Sequence, residues 1–325
     1  MVKSWLTQYR TVAVTQRYPA SYTWMETRTR PLRLGATTYW VLKAERDIMF
    51  RTISFTAALA TATIMTAAPA MADTGDRSTH FDGLYIGAGG GYNMQSADNR
   101  ADVVFDTDRN GTYDNTVLTG TGANAFAPGF CSGYPNGGSR LAADGCKGDK
   151  DRGEYFARLG YDRRMGNIVI GAVLEGSKSD VVDRTTAYSS TPHFYNFSRG
   201  VDWMGAARLR AGYTPNGGVL FYGTGGAVYA NLKHEFSTSN TTSTFTQNGK
   251  DNAWGYQAGG GIEAMVMKNI SVGLEYLYTD IDDNDYYVTA VTPTGVPFGT
   301  GGTNLRPRDQ GFNYHAVRGT VAFRF

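Results

Sequence analysis

Apolar and polar residues alternate along several stretches of this chain, and the clearest is the last. Over residues 312–325, Phe325, Phe323, Val321, Gly319 and Val317 fall on one face, while Arg324, Ala322, Thr320 and Arg318 fall on the other. A period of two predicts a β-strand. Residues 83–94 repeat the pattern, with Leu84, Ile86, Ala88 and Tyr92 opposite Tyr85, Gly87, Gly89 and Gly91. Residues 154–162 set Tyr155, Ala157, Leu159 and Tyr161 against Glu154, Phe156, Arg158 and Gly160. Across a short turn at 165–167, residues 168–177 set Ile170, Ala172 and Leu174 against Val173 and Glu175, which predicts a hairpin. Residues 201–213 carry Val201, Trp203, Ala207, Leu209, Ala211 and Tyr213 on one side and Asp202, Arg208 and Arg210 on the other. Residues 252–265 and 270–280 alternate too, with Gln257, Glu263 and Glu275 on the polar faces. The stretch 219–236 is less decisive, and its Gly225–Gly226 pair predicts a bulge.

Eight strands of roughly nine to fourteen residues are long enough to cross a bilayer at a tilt. Three tight turns alternate with four long loops, at 95–151, 178–200, 237–251 and 281–311. A sheet that ends on a long apolar strand leaves an exposed edge unless it closes on itself. With apolar faces outward and arginines inward, the medium outside must be hydrocarbon. The predicted fold is all-β, an eight-stranded antiparallel up-and-down transmembrane β-barrel over residues 73–325, with turns in the periplasm and loops outside the cell. Tyr92, Trp203, Tyr213, Trp254, Tyr276, Tyr278, Phe323 and Phe325 lie near strand ends and would form its aromatic girdles.

Composition agrees: 41 glycines, 21 tyrosines, 16 phenylalanines and only 18% charged residues. Residues 49–72 combine Arg51, an apolar centre and Ala70-Met71-Ala72, which predicts a secretory signal peptide cut after Ala72. Residues 1–48 lie upstream of a complete signal and are expected to be a non-native or disordered extension outside the fold. Residues 1–72 hold nine basic and three acidic side chains of the chain's 31 and 29, which leaves 22 basic against 26 acidic. The mature chain is therefore acidic, and the charge gives no support to a nucleic-acid partner.

The inward faces assemble Arg158, Arg208, Arg210, Arg318 and Arg324 with Glu175, Glu263 and Glu275. An eight-stranded barrel is only wide enough to hold its own side chains, so these charges are expected to fill the lumen as an ion network. The alternative is a narrow, slightly anion-preferring pore. Cys131 and Cys146, the two cysteines, share the first loop and an oxidising compartment, which predicts a disulfide contributing roughly 3 kcal/mol. Asp106, Asp108, Asn110 and Asp114, with Gly111 at the sixth place, match the first nine positions of a calcium loop. Val117 stands where the bidentate Glu belongs, so the readings are a weak calcium site that orders the loop or a solvated turn. No other cofactor is expected. His80, His193, His234 and His315 are scattered, with no spacing that singles out a catalytic group, and no enzyme is expected.

The first strand's Gly83, Leu84, Tyr85, Ile86 and Gly87, the stretch VGLEYLY at 272–278, the signal peptide and the final strand ending in Phe resemble the opacity-type outer-membrane β-barrel surface proteins of proteobacteria. The transmembrane domain of OmpA and the OmpX-like barrels are more distant relatives of that type. The resemblance implies a C-terminal strand read by the barrel-assembly machinery, with Phe323 and Phe325 as the assembly signal. Arg318 fits that pattern, whereas Thr320 stands where Gly is usual and Gly319 lies one place early. It further implies an outer-membrane surface protein with a structural or adhesive role, whose partners are outer-membrane lipid, the assembly machinery and surface ligands at the loops. The alternative is a small porin-type channel.

Overall fold

The computed structural model describes residues 80–95, 101–149 and 152–325. The expected extension at 1–48 and the signal peptide at 49–72 lie outside them. Eight long strands follow one another along the chain: β1 (Gly83–Gln95), β2 (Arg152–Met165), β3 (Ile168–Ser179), β4 (Phe194–Tyr213), β5 (Val219–Thr238), β6 (Asn252–Met267), β7 (Ile270–Asp282) and β8 (Gly311–Arg324). Each pairs antiparallel with its sequence neighbour, and β8 returns to β1 through pairs such as Ile86 with Phe323 and Tyr92 with Val317. The sheet is a closed eight-stranded antiparallel barrel and has no edge to protect.

Period two holds around the wall. In β2, Glu154, Phe156, Arg158 and Asp162 are buried while Tyr155, Leu159 and Tyr161 are exposed. Leu209 of β4 is 70% exposed and Arg210 beside it 3%. Glycine keeps the inner face narrow: a Cβ at Gly89 would lie 2.1 Å from the Gly319 carbonyl oxygen and 2.4 Å from the Phe156 ring. Gly226 serves the same end, and the Gly225–Gly226 pair does not form the expected bulge. Gly226 stays in register with Arg208, and a Cβ there would sit 2.0 Å from the Ala207 carbonyl oxygen. The register shift in this pair of strands falls at Asn231 and Leu232, opposite Trp203 and Val201. It leaves Asp202 unpaired and lets Asp202 and Trp203 both face outward.

The four long connections, expected at 95–151, 178–200, 237–251 and 281–311, carry strands of their own. β4 begins at Phe194, inside the expected 178–200 loop, and β5 runs on to Thr238. Val182–Tyr188 pairs with the upper half of β4, and Gly129–Ser132 adds to its free side. Thr244–Asn248, Tyr287–Val291, Thr303–Pro307 and Val103–Asp106 form a separate four-stranded antiparallel sheet. The reason lies in burial. Residues 194–201 are buried without a break, because a second layer covers the face that lower down meets the membrane. Strands covered on both sides lose the alternation that marks them in sequence.

Between these layers lies an aromatic core of Phe105, Phe126, Tyr195, Phe197, Phe298 and Leu305, with Phe236 and Phe245 packed against it. Ring centroids of Phe105 and Phe126 are 4.5 Å apart, and those of Phe126 and Tyr195 are 5.2 Å apart. These connecting segments thus fold into a cap with an interior like that of a water-soluble sandwich.

Candidate functional site

The strand period aims every second side chain into the lumen, and the five expected arginines meet there in two groups. In the lower group, Arg210 Nε lies 2.7 Å from Asp162, and Arg210 Nη1 lies 2.9 Å from Glu263. Arg324 reaches the same two carboxylates at 2.9 and 2.6 Å. Ser271 donates to Glu263 at 2.6 Å. In the upper group, Arg318 pairs with Glu175 at 2.5 Å and Glu154 at 3.0 Å, and Arg158 pairs with Glu275 at 3.1 Å. Arg208 joins Glu175 at 2.8 Å. Arg318 and Arg158 lie 3.7 and 4.6 Å above the Phe156 ring, and the Tyr222 hydroxyl donates to Glu275 at 2.8 Å.

All ten charged groups are at most 7% exposed. Sequence reasoning placed eight of them and left out Asp162 and Glu154. Both were legible, because they continue the inward parity of Arg158. Including them changes the electrostatics: five arginines now face five carboxylates, two against two below and three against three above. A surplus of two positive charges, the basis for an anion-preferring pore, is absent from this set. Burying so many ions is tolerated only where each has an opposite partner and hydrogen bonds.

Apolar layers close both ends of the network. Below it Phe81, Val169, Leu220 and Met265 pack together. Above it Met204, Val228, Leu232, Ile281, Phe312 and Tyr314 do the same. A polar belt then joins the barrel to the cap. Arg199 Nε bonds Asp183 at 2.7 Å, and its guanidinium donates to the Gly311 carbonyl at 2.9 Å. His234 lies 2.9 Å from Asp283 and stacks on Tyr286 at 4.1 Å. Burial, with Asp283 adding to it, pushes the Tyr286 phenol above its ordinary range. No sequence signal singled out this belt, since its members come from four separate segments.

Cys131 and Cys146 form a disulfide, with Cα atoms 6.1 Å apart, that ties the Tyr134–Pro135 and Cys146–Lys147 hairpin to the strand beside β4. The Asp106 carboxylate is buried and accepts the backbone N–H groups of Asn110 at 3.1 Å and Gly111 at 2.9 Å. Asp108 accepts from the Asn110 side chain, and Asp114 accepts from Asn115. Among the described residues, no three acidic, histidine or cysteine side chains converge to hold a metal. The other histidines are apart: His315 Nδ1 is 2.6 Å from the Tyr276 hydroxyl, His193 Nδ1 is 3.3 Å from Ser239, and His80 Nδ1 is 3.0 Å from the Gly217 carbonyl. Phe323 and Phe325 face outward with ring centroids 5.2 Å apart.

A closed wall with an apolar exterior, aromatic rims and a charged interior defines a transmembrane barrel of the bacterial outer membrane. The family model for the outer membrane protein beta-barrel domain matches residues 56–325, and the chain belongs to that family. It is 30% identical over 175 residues to the 31 kDa outer-membrane immunogenic protein of Brucella melitensis biotype 1, an alignment covering 52% of this chain and 64% of the relative. It is 34% identical over 138 residues to the 22 kDa outer membrane protein of Rhizobium leguminosarum bv. viciae, covering 41% of this chain and 54% of that one. Less than two thirds of either relative's length is thus matched. The crystal structure of OprG from Pseudomonas aeruginosa overlays with a TM-score of 0.43 at 12% identity, covering 76% of this chain and 98% of OprG. The protein resides in the outer membrane.

Proposed function

We propose that the chain is a non-conducting, non-enzymatic surface barrel that reinforces the outer membrane and presents a folded extracellular lobe to binding partners. One observation carries this reading: the lumen holds a charge-balanced network between two apolar layers, beneath a cap with its own core. An ion crossing it would have to break buried ion pairs and enter dry, apolar layers, which costs several kcal/mol per ion. The folded cap argues in the same direction, because a fixed surface loses less conformational freedom on binding than a loose loop does. The barrel-assembly machinery is the proposed partner for Phe323 and Phe325 on the outward face of β8.

Planar-bilayer recording of the refolded protein tests the reading. A silent membrane at physiological salt supports it. Stable unitary steps that appear with insertion would favour the small-porin alternative.

A further inference from the structure

An open cavity of about 330 Å³ lies beside the disulfide hairpin at the extracellular mouth. Three segments each send one cation to its wall: Lys147 from the hairpin, Arg152 five residues on at the start of β2, and Arg184 from the more distant strand Val182–Tyr188. Tyr134, Gly137 and Gly138 complete much of the lining, and among the described residues no acidic one lines it. Such a concentration is unexpected in a mature chain with more acidic than basic residues. Like charges brought together around an empty space repel one another unless something negative enters.

The wall is built to hold its place. Cys131–Cys146 fixes the hairpin, Cys131 is in register with Thr186, and Gly133 donates its N–H to the Arg184 carbonyl at 2.7 Å. Asp149, which is not among the lining residues, accepts from the Arg184 backbone N–H at 3.0 Å and its guanidinium at 3.5 Å. The Lys147 and Arg152 side chains have no ion-pair or hydrogen-bond partner among the described residues, and Arg152 Nε is buried. In the ion network below, every arginine has a carboxylate. Here the Lys147 and Arg152 side chains have none among the described residues.

We infer that this cavity binds a phosphate-bearing group, held by Arg152, Arg184 and Lys147. Guanidinium groups match phosphate oxygens in paired hydrogen bonds, and a monoester carries close to two negative charges near pH 7. The volume suits a single sugar with its phosphate. The phosphate belongs either to the sugar headgroup of an outer-leaflet lipid or to a free phosphorylated solute. This deepens the surface-presentation reading by naming a ligand class, yet it does not depend on whether the lumen conducts.

The full barrel in phosphatidylcholine nanodiscs is titrated by calorimetry with glucose 6-phosphate, inorganic phosphate and glucose. In a second arm, nanodiscs doped with bisphosphorylated lipid A are purified and retained lipid is weighed by native mass spectrometry. Saturable binding of both phosphates but not glucose assigns a soluble source, and retention of lipid A assigns a membrane source. Either result, weakened about tenfold in Arg152→Gln and Lys147→Gln with heat-modifiable mobility unchanged, supports the site. Absence of phosphate binding in both arms overturns it, as do variants that bind like the parent protein. A conductance measured on the same samples falsifies only the closed-lumen reading.

Discussion

Arg318 in the barrel and Phe298 in the cap are each about 1% exposed, while the barrel exposes Leu209 at 70%. The two residues sit in interiors built on opposite rules. In the barrel the surrounding solvent is hydrocarbon, so apolar side chains face out and the lumen collects ten charged groups. Above the rim the solvent is water, and the same chain folds its aromatics inward between two sheets. β4 passes through both regimes, alternating from Trp203 downward and buried throughout from Phe194 to Val201. Polarity therefore follows the medium at each height and is not a fixed property of the strand.

Removing one charge should break the barrel's interior most severely. Arg318→Ala leaves Glu175, Glu154 and Glu275 short of a cation, and a loss of about 3–5 kcal/mol is expected. Urea unfolding in detergent, followed by tryptophan fluorescence, reads it. Adding Glu154→Gln to that variant should restore part of the loss, since it removes one of the stranded charges.

The cap should answer to cavities instead. Phe126→Ala removes a ring that touches Phe105, Tyr195 and Phe298, at an expected cost of about 3 kcal/mol. Limited proteolysis should then cut the extracellular segments early while the barrel keeps its heat-modifiable mobility. Loss of both together would join the two interiors into one cooperative unit. Asp106→Ala should cost less, about 1–3 kcal/mol, because it leaves the Asn110 and Gly111 N–H groups without their acceptor.

A further effect concerns pH. Burial pushes the Asp149 carboxyl up to about 7, against the opposing pull of the Arg184 N–H. Its folded value lies above its unfolded one, so the ionised form weakens the folded hairpin lobe. Lowering pH through 7 should therefore strengthen the lobe, with the gain complete below about 4. Amide exchange corrected for intrinsic rate, compared between the parent protein and Asp149→Asn, checks this: the two should differ at pH 8 and converge at pH 5.

The barrel could be read from sequence because lipid on one side and a polar lumen on the other impose a strict alternation. Arg158, Glu175, Arg208 and Glu263 were visible on those grounds, and Asp162 needed only one more step along β2. Tyr222 was hidden because the Gly-rich run 223–226 blurs the faces of β5. The cap was not legible: Val103–Asp106 and residues 194–201 are buried on both faces, so no period marks them. The cationic cavity needs the 134–152 stretch to meet Arg184 of a later strand, which no local pattern records.

Spin labels placed singly at Leu209 and at Leu118 in liposomes test the inversion most directly, since both side chains are exposed but on opposite sides of the rim. The inversion requires Leu209 to be open to oxygen and closed to a water-soluble nickel chelate, and Leu118 to show the reverse. Equal access of the nickel chelate to both positions would contradict it.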